Sequence, residues 1–199
     1  YNEDIQCVKF GDNYSLDVFL PTEQTYNVES FGNGSWPMAA VSEDNNINFM
    51  NICGGMMLQL KGTQKVTSIT LQGKNNEVLS GAATVIVYTD NETKPVITMS
   101  SDAATSVVLN CGTEGIQLDE NLATEFIIAL PPMLLSKGFI VTVTDFEENI
   151  YTLETDKANT VLRSSLLVMP EIHVNKSDNN QDSDDELYIP VTSISIQAD

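Results

Sequence analysis

An all-β fold, a β-sandwich of antiparallel strands, is what this sequence predicts, and three observations predict it. From Ile52 to Val143 short runs alternate apolar and polar residues or are apolar throughout. Gly62, Gly73, Gly81, Gly112, Gly115 and Gly138 fall near the ends of those runs, where tight connections need them. No helical period persists through this stretch.

The elements follow in order. Ser15-Leu16-Asp17-Val18-Phe19-Leu20 alternates and is closed by Pro21, and 22–35 is polar and turn-rich. Gly32-Asn33-Gly34-Ser35 delivers the only Trp, with Pro37 holding Trp36 extended. Strands are then expected at 56–61, 67–72, 84–88, 107–111, 125–130 and 139–144, with Pro131-Pro132 ending the fifth because neither can donate to a ladder. Residues 160–169 fit either a last strand or a short helix. Leu58, Leu60, Ile69, Leu71, Val85, Val87, Leu109, Phe126, Ile128, Val141 and Val143 fall on apolar faces and form the expected core. The expected organisation is a sandwich domain over 1–174, an acidic linker over 175–186 and a C-terminal strand over 187–199 that docks on an edge or begins a following module.

With 28 acidic and 9 basic side chains, the 199-residue chain carries a formal charge of −19. That argues against nucleic acid, whose phosphates are bound through Lys and Arg, and against anionic membrane surfaces. The acidity keeps a strand-rich chain soluble. No run approaches the ~20 apolar residues of a membrane helix. The chain starts at Tyr1 without an initiator Met, and it is expected to be a processed or trimmed piece of an exported protein.

Chemistry-bearing motifs are sparse. Cys7, Cys53 and Cys111 are far apart with no CxxC spacing; Cys53 and Cys111 sit in or beside apolar runs and read as core residues. His173 is the only histidine, which excludes a His-cluster metal site or a two-histidine mechanism. No GxSxG, P-loop or GxGxxG occurs, and aromatics make up 7% of residues, too scattered for a glycan-cleaving cleft. No enzyme, catalytic residue or cofactor is expected. Asp178, Asn180, Asp182 and Asp184 have the spacing of a calcium loop without its turn Gly and its twelfth-position Glu, so they are a weak metal candidate.

Three aromatics, Trp36, Tyr26 and Tyr14, are candidate sugar-stacking residues; for Trp36 the competing reading is a plug on the end of the core. After the linker, Leu187 to Gln197 is apolar again, with Val191, Ile194 and Ile196 forming a candidate assembly strand. This run repeats much of Val66-Thr67-Ser68-Ile69-Thr70-Leu71-Gln72, a match too short to imply duplication.

The runs Ser35-Trp36-Pro37-Met38-Ala39-Ala40, 47–62, Lys65-Val66-Thr67-Ser68-Ile69-Thr70-Leu71, Leu79-Ser80-Gly81-Ala82-Ala83, Phe126-Ile127-Ile128-Ala129-Leu130-Pro131-Pro132 and 137–145 together resemble the fimbrillin-like surface proteins of Bacteroidales. The likeness spans roughly 35–169. It implies a transthyretin-like or Greek-key sandwich, an exported, lipid-anchored precursor at the outer membrane, and a role as a fimbrial subunit or cell-surface adhesin. Cys7 follows Ile5-Gln6 and precedes Val8, without the apolar lead of a lipobox. Pro190-Val191-Thr192-Ser193-Ile194-Ser195-Ile196 also resembles the first strand of bacterial immunoglobulin-like repeats. Two functions are therefore expected as alternatives. One is a non-catalytic adhesin or pilus-like module whose partners are protein subunits, surface proteins or glycans. The other is a carbohydrate-binding module of a larger glycan-degrading or glycan-capturing protein.

Overall fold

The computed structural model describes residues 7–42, 47–90, 92–174 and 192–195. Every regular element among them is a strand: β1 (Cys7–Phe10), β2 (Asn13–Leu20), β3 (Glu23–Thr25), β4 (Met38–Ala39), β5 (Met50–Asn51), β6 (Gly54–Lys61), β7 (Lys65–Gly73), β8 (Gly81–Val87) and β9 (Val96–Met99). The second half continues with β10 (Ser106–Asn110), β11 (Ile116–Gln117), β12 (Thr124–Leu130), β13 (Met133–Leu135), β14 (Phe139–Asp145), β15 (Ile150–Thr155), β16 (Asn159–Val161), β17 (Ser165–His173) and β18 (Thr192–Ser195). The all-β expectation holds.

Two sheets face each other across the main core. One runs β15-β14-β7-β10-β3, with β11 also on β7; the other runs β12-β6-β17-β18. Register explains the core directly. Val143, Ile69 and Leu109 lie side by side across β14, β7 and β10, as do Val141, Leu71 and Val107, while Leu58 lies opposite Phe126 and Met56 opposite Ile128 in the facing sheet. Alternation sends each of these side chains to one face, and all are buried. At roughly 1.5–3 kcal/mol for each large apolar side chain, this layer is the main favourable term.

All eleven residues expected in the core are buried, but they do not share one cluster. Val85 and Val87 belong to a third sheet, β1-β2-β8-β9, whose apolar face packs with Leu20, Ala39, Ile52 and Cys53 into a second, smaller cluster. Its strands are tied to the sandwich at a bridge between Ser80 and Ala104, where Ala104 N–H donates to Ser80 O at 2.9 Å and Ser80 Oγ–H donates to Ser106 O at 2.7 Å.

Three expectations need correction. The sandwich is not wholly antiparallel: β3 runs parallel to β10, and β17 parallel to β6, because these partners are far apart in the chain and no hairpin dictates their direction. The polar stretch 22–35 contains a strand, β3, placed by that pairing. Residues 160–169 are neither one strand nor a helix: Ser164, at φ 57°, turns the chain between β16 and β17.

Candidate functional site

One end of the sandwich gathers three connections: the β6–β7 turn, the approach from β11, and the β14–β15 hairpin. Asp145 builds the last of these. Its carboxylate accepts the backbone N–H of Glu147 and of Asn149, each at 2.9 Å, the Asn149 side-chain amide, and the Tyr151 hydroxyl at 2.8 Å. Asp145 is only 6% exposed. Burial alone would raise its pKa, but the donors from Asn149, Tyr151 and Glu147 together hold it below the ordinary aspartate range. The same burial, followed by the bond to Asp145, pushes the Tyr151 phenol up.

The hairpin turned in this way sets Phe146 beside Lys65, with Phe146 N–H donating to Lys65 O at 2.8 Å. The Lys65 ammonium lies 4.9 Å from the centre of the Phe146 ring, a cation–π contact, yet Phe146 remains 56% exposed. Across from them Gln117 donates through Nε2 to the carbonyls of Thr63, Gln64 and Leu118. These groups enclose an open recess of about 390 Å³ with Glu147 and Asn149 on its rim. Lined by amides, hydroxyls, the Lys65 ammonium and the carboxylates of Asp145 and Glu147, it can hydrogen-bond a polar ligand against the exposed Phe146 ring, the Tyr151 ring being buried.

A second recess of about 320 Å³ lies on the other side of Thr63 and Gln64, and it is lined by Glu120, Asn121 and His173. Asp119 holds the turn that carries Glu120 and Asn121 by accepting Asn121 N–H at 2.7 Å and Leu122 N–H at 2.9 Å; those two bonds lower its pKa. His173, at the end of β17, sits opposite Lys61 in register, and Lys61 is ion-paired with Glu171.

The three candidate aromatics meet different neighbours. Tyr26 packs on Phe126 with ring centres 5.2 Å apart and joins the edge of the main core, and burial raises its phenol pKa. Trp36 is half-buried: Phe31 stacks on it at 4.8 Å and 26°, and its ring edge rests on Gly55, where any Cβ would come within 2.7 Å of Cζ3. Glycine is therefore required at 55 to seat the indole. Phe31 is the more exposed ring of the pair. Tyr14 borders a shallow recess with Cys7, Leu16 and Val41. No ring contact joins these three among the described residues.

The calcium candidates Asp178, Asp182 and Asp184 lie outside the described residues, as do Val191 and Ile196. Ile194 is described in its backbone: β18 pairs antiparallel with β17, with Ile194 opposite Leu166. Cys53 and Cys111 are buried free thiols, pushed by burial to a pKa of about 12, whereas Cys7 is exposed. Both buried cysteines are the core residues the sequence indicated.

No known family profile and no curated protein matches the chain. Among solved structures it is similar to one from Bacteroides ovatus described as a "putative cell adhesion protein", at 10% identity over 96% of this chain and 71% of that one, with a TM-score of 0.47. A second, from Bacteroides uniformis and described in the same words, is 14% identical over 92% of this chain and 72% of that one, with a TM-score of 0.41.

Sequence reasoning passed over the residues of the first recess. Lys65, Gln117, Phe146 and Asn149 lie in three separate connections, and none belongs to a motif. One local signal was available: Asp145-Phe146-Glu147-Glu148-Asn149 is an Asp-initiated turn between two strand-like runs, with an aromatic that such a turn leaves outside.

Proposed function

We propose that this domain is a non-catalytic binding module of an exported, cell-surface protein, an adhesin or pilus-like structural unit, which meets its partner through loops at the end of the sandwich. One observation carries the reading: the carboxylates with the clearest environments are spent on holding turns in shape. Asp145 and Asp119 pin the two recesses. Asp90 accepts the Thr93 hydroxyl at 2.6 Å and its backbone N–H at 2.7 Å, and Glu77 accepts the N–H groups of Asn75 and Ser136. In each case hydrogen bonds hold the carboxyl below its usual range, which makes it a poor general acid or base at neutral pH and a good turn anchor. Loops fixed before contact lose little entropy on binding, which suits recognition. The resemblance of residues 35–169 to fimbrillin-like proteins agrees with this reading.

The alternative, a sugar platform built on Trp36, is weakened by the Phe31 and Gly55 contacts that occupy the indole. The test is adhesion. Beads coated with the domain are expected to be retained saturably on cells or on glycoprotein-coated surfaces. Absence of retention on all of them, or turnover of a substrate in a hydrolase panel, overturns the proposal.

A further inference from the structure

We propose that the recess between Lys65, Gln117 and Phe146 binds a neutral carbohydrate, with the exposed Phe146 ring as the stacking wall. This inference rests on the binding-module reading above and supplies its ligand class and site.

The shape is fixed in advance by groups that take no part in binding. Asp145 locks the hairpin, Phe146 N–H is bonded to Lys65 O, and Gln117 Nε2 is held by backbone carbonyls. Because Gln117 spends its amide N–H on the protein, its Oε1 is left as an acceptor. The Asn149 amide likewise donates to Asp145, leaving its own oxygen. Glu147 adds a carboxylate whose only bond among the described residues is a long one, 3.4 Å, from Asn149. Donors are fewer, the chief one being the Lys65 ammonium, which is in no ion pair among the described residues.

An acceptor-rich recess with one cationic donor and one aromatic wall matches a polyol ring, whose hydroxyls both donate and accept and whose C–H face packs on an aromatic surface. A peptide would need apolar sockets for alternate side chains or an open strand edge, and the lining offers one exposed aromatic ring, Phe146, beside the buried Tyr151, and no aliphatic pocket. An anionic sugar would meet Glu147 together with the −19 charge of the chain.

The experiment is a glycan array of neutral, sialylated and sulfated oligosaccharides probed with the full chain, followed by titration of the retained glycan against variants. Neutral glycans should be retained. Phe146→Ala and Phe146→Leu should each weaken binding about tenfold through loss of the ring face, and Lys65→Met should weaken it several-fold, while Phe31→Ala leaves it unchanged. Phe146→Leu keeps an apolar side chain on the hairpin, and a far-ultraviolet spectrum and denaturation midpoint show that each variant is folded.

Retention of only sialylated or sulfated glycans, retention that Phe146→Leu and Lys65→Met both leave intact, or no retention of any glycan overturns the proposal. If the beads still adhere and the Phe146 variants adhere equally well, the carbohydrate site falls and the binding-module reading stands. If neutral glycans bind through Phe146 but the beads do not adhere, the site stands and the adhesin reading falls.

Discussion

Gln24 and Ala129 join the two sheets of the sandwich at a shared edge. The side chain of Gln24, on edge strand β3, donates through Nε2 to Ala129 O at 2.8 Å and accepts Ala129 N–H through Oε1 at 2.9 Å, so one amide imitates a strand peptide against edge strand β12. Gln24 is buried, and the pairing leaves neither backbone group of Ala129 without a partner. The same contact closes an edge on which another chain could add a strand.

Gln24→Ala is expected to cost roughly 2 to 4 kcal/mol, because it strands a buried donor and a buried acceptor at once. Urea denaturation measures this. Gln24→Glu makes a sharper test. Only the protonated acid can donate to Ala129 O, so its folded pKa should lie above its unfolded value, and the variant should approach wild-type stability below about pH 4 and lose it as pH rises. A variant equally stable at pH 4 and pH 7 would show that the carbonyl bond contributes nothing.

Asp145→Asn should cost about 1 to 3 kcal/mol at neutral pH, since one carbonyl oxygen replaces a carboxylate that accepts from Asn149, Tyr151 and Glu147. The sign follows from its lowered pKa. Stability from Asp145 is fully present above the unfolded carboxyl value of about 3.9 and is lost as pH falls through the lower folded value. The gap between wild type and Asn variant should therefore close on acidification below about pH 4. A gap independent of pH would contradict this.

Leu58→Ala should destabilise by about 2 to 5 kcal/mol, the range for truncating a fully buried leucine. Leu58 faces Phe126 in register and is 1% exposed. A loss below about 0.5 kcal/mol, the level of surface changes, would show that the facing sheets are not packed there.

Alkylation at pH 8 should separate the cysteines. Cys7 is exposed, while Cys53 and Cys111 are buried with pKa values of about 12, so only a trace of either is thiolate. Mass spectrometry is expected to find one modified cysteine in the native protein and three after unfolding.

Ending the chain after Asp178 should leave the sandwich folded and remove any self-association or docking mediated by the C-terminal strand. Among the described residues the main core reaches no further than Val174, whereas β18 adds to the β17 edge of its sheet. Unfolding of the shortened chain would make this strand integral to the domain.

The alternation of Leu58 and Leu60, Ile69 and Leu71, or Val141 and Val143 is written in the chain itself, since successive strand residues face opposite sides whatever they pair with. Faces, turns, the buried thiols and the strand-breaking prolines were legible for that local reason. Pairing is not local. Nothing near Val85 and Val87 says that their apolar face closes a second cluster with Cys53 in place of the main core, and nothing near Gln24 says that a polar residue in a turn-rich stretch will be buried against Ala129. The recess has the same origin: Lys65 and Phe146 meet only because β7 and β14 are neighbours in one sheet and a bulge at Asp145 turns the hairpin toward them. Each of these contacts depends on how distant segments close on one another, a choice made by burial and hydrogen-bond satisfaction over the whole fold.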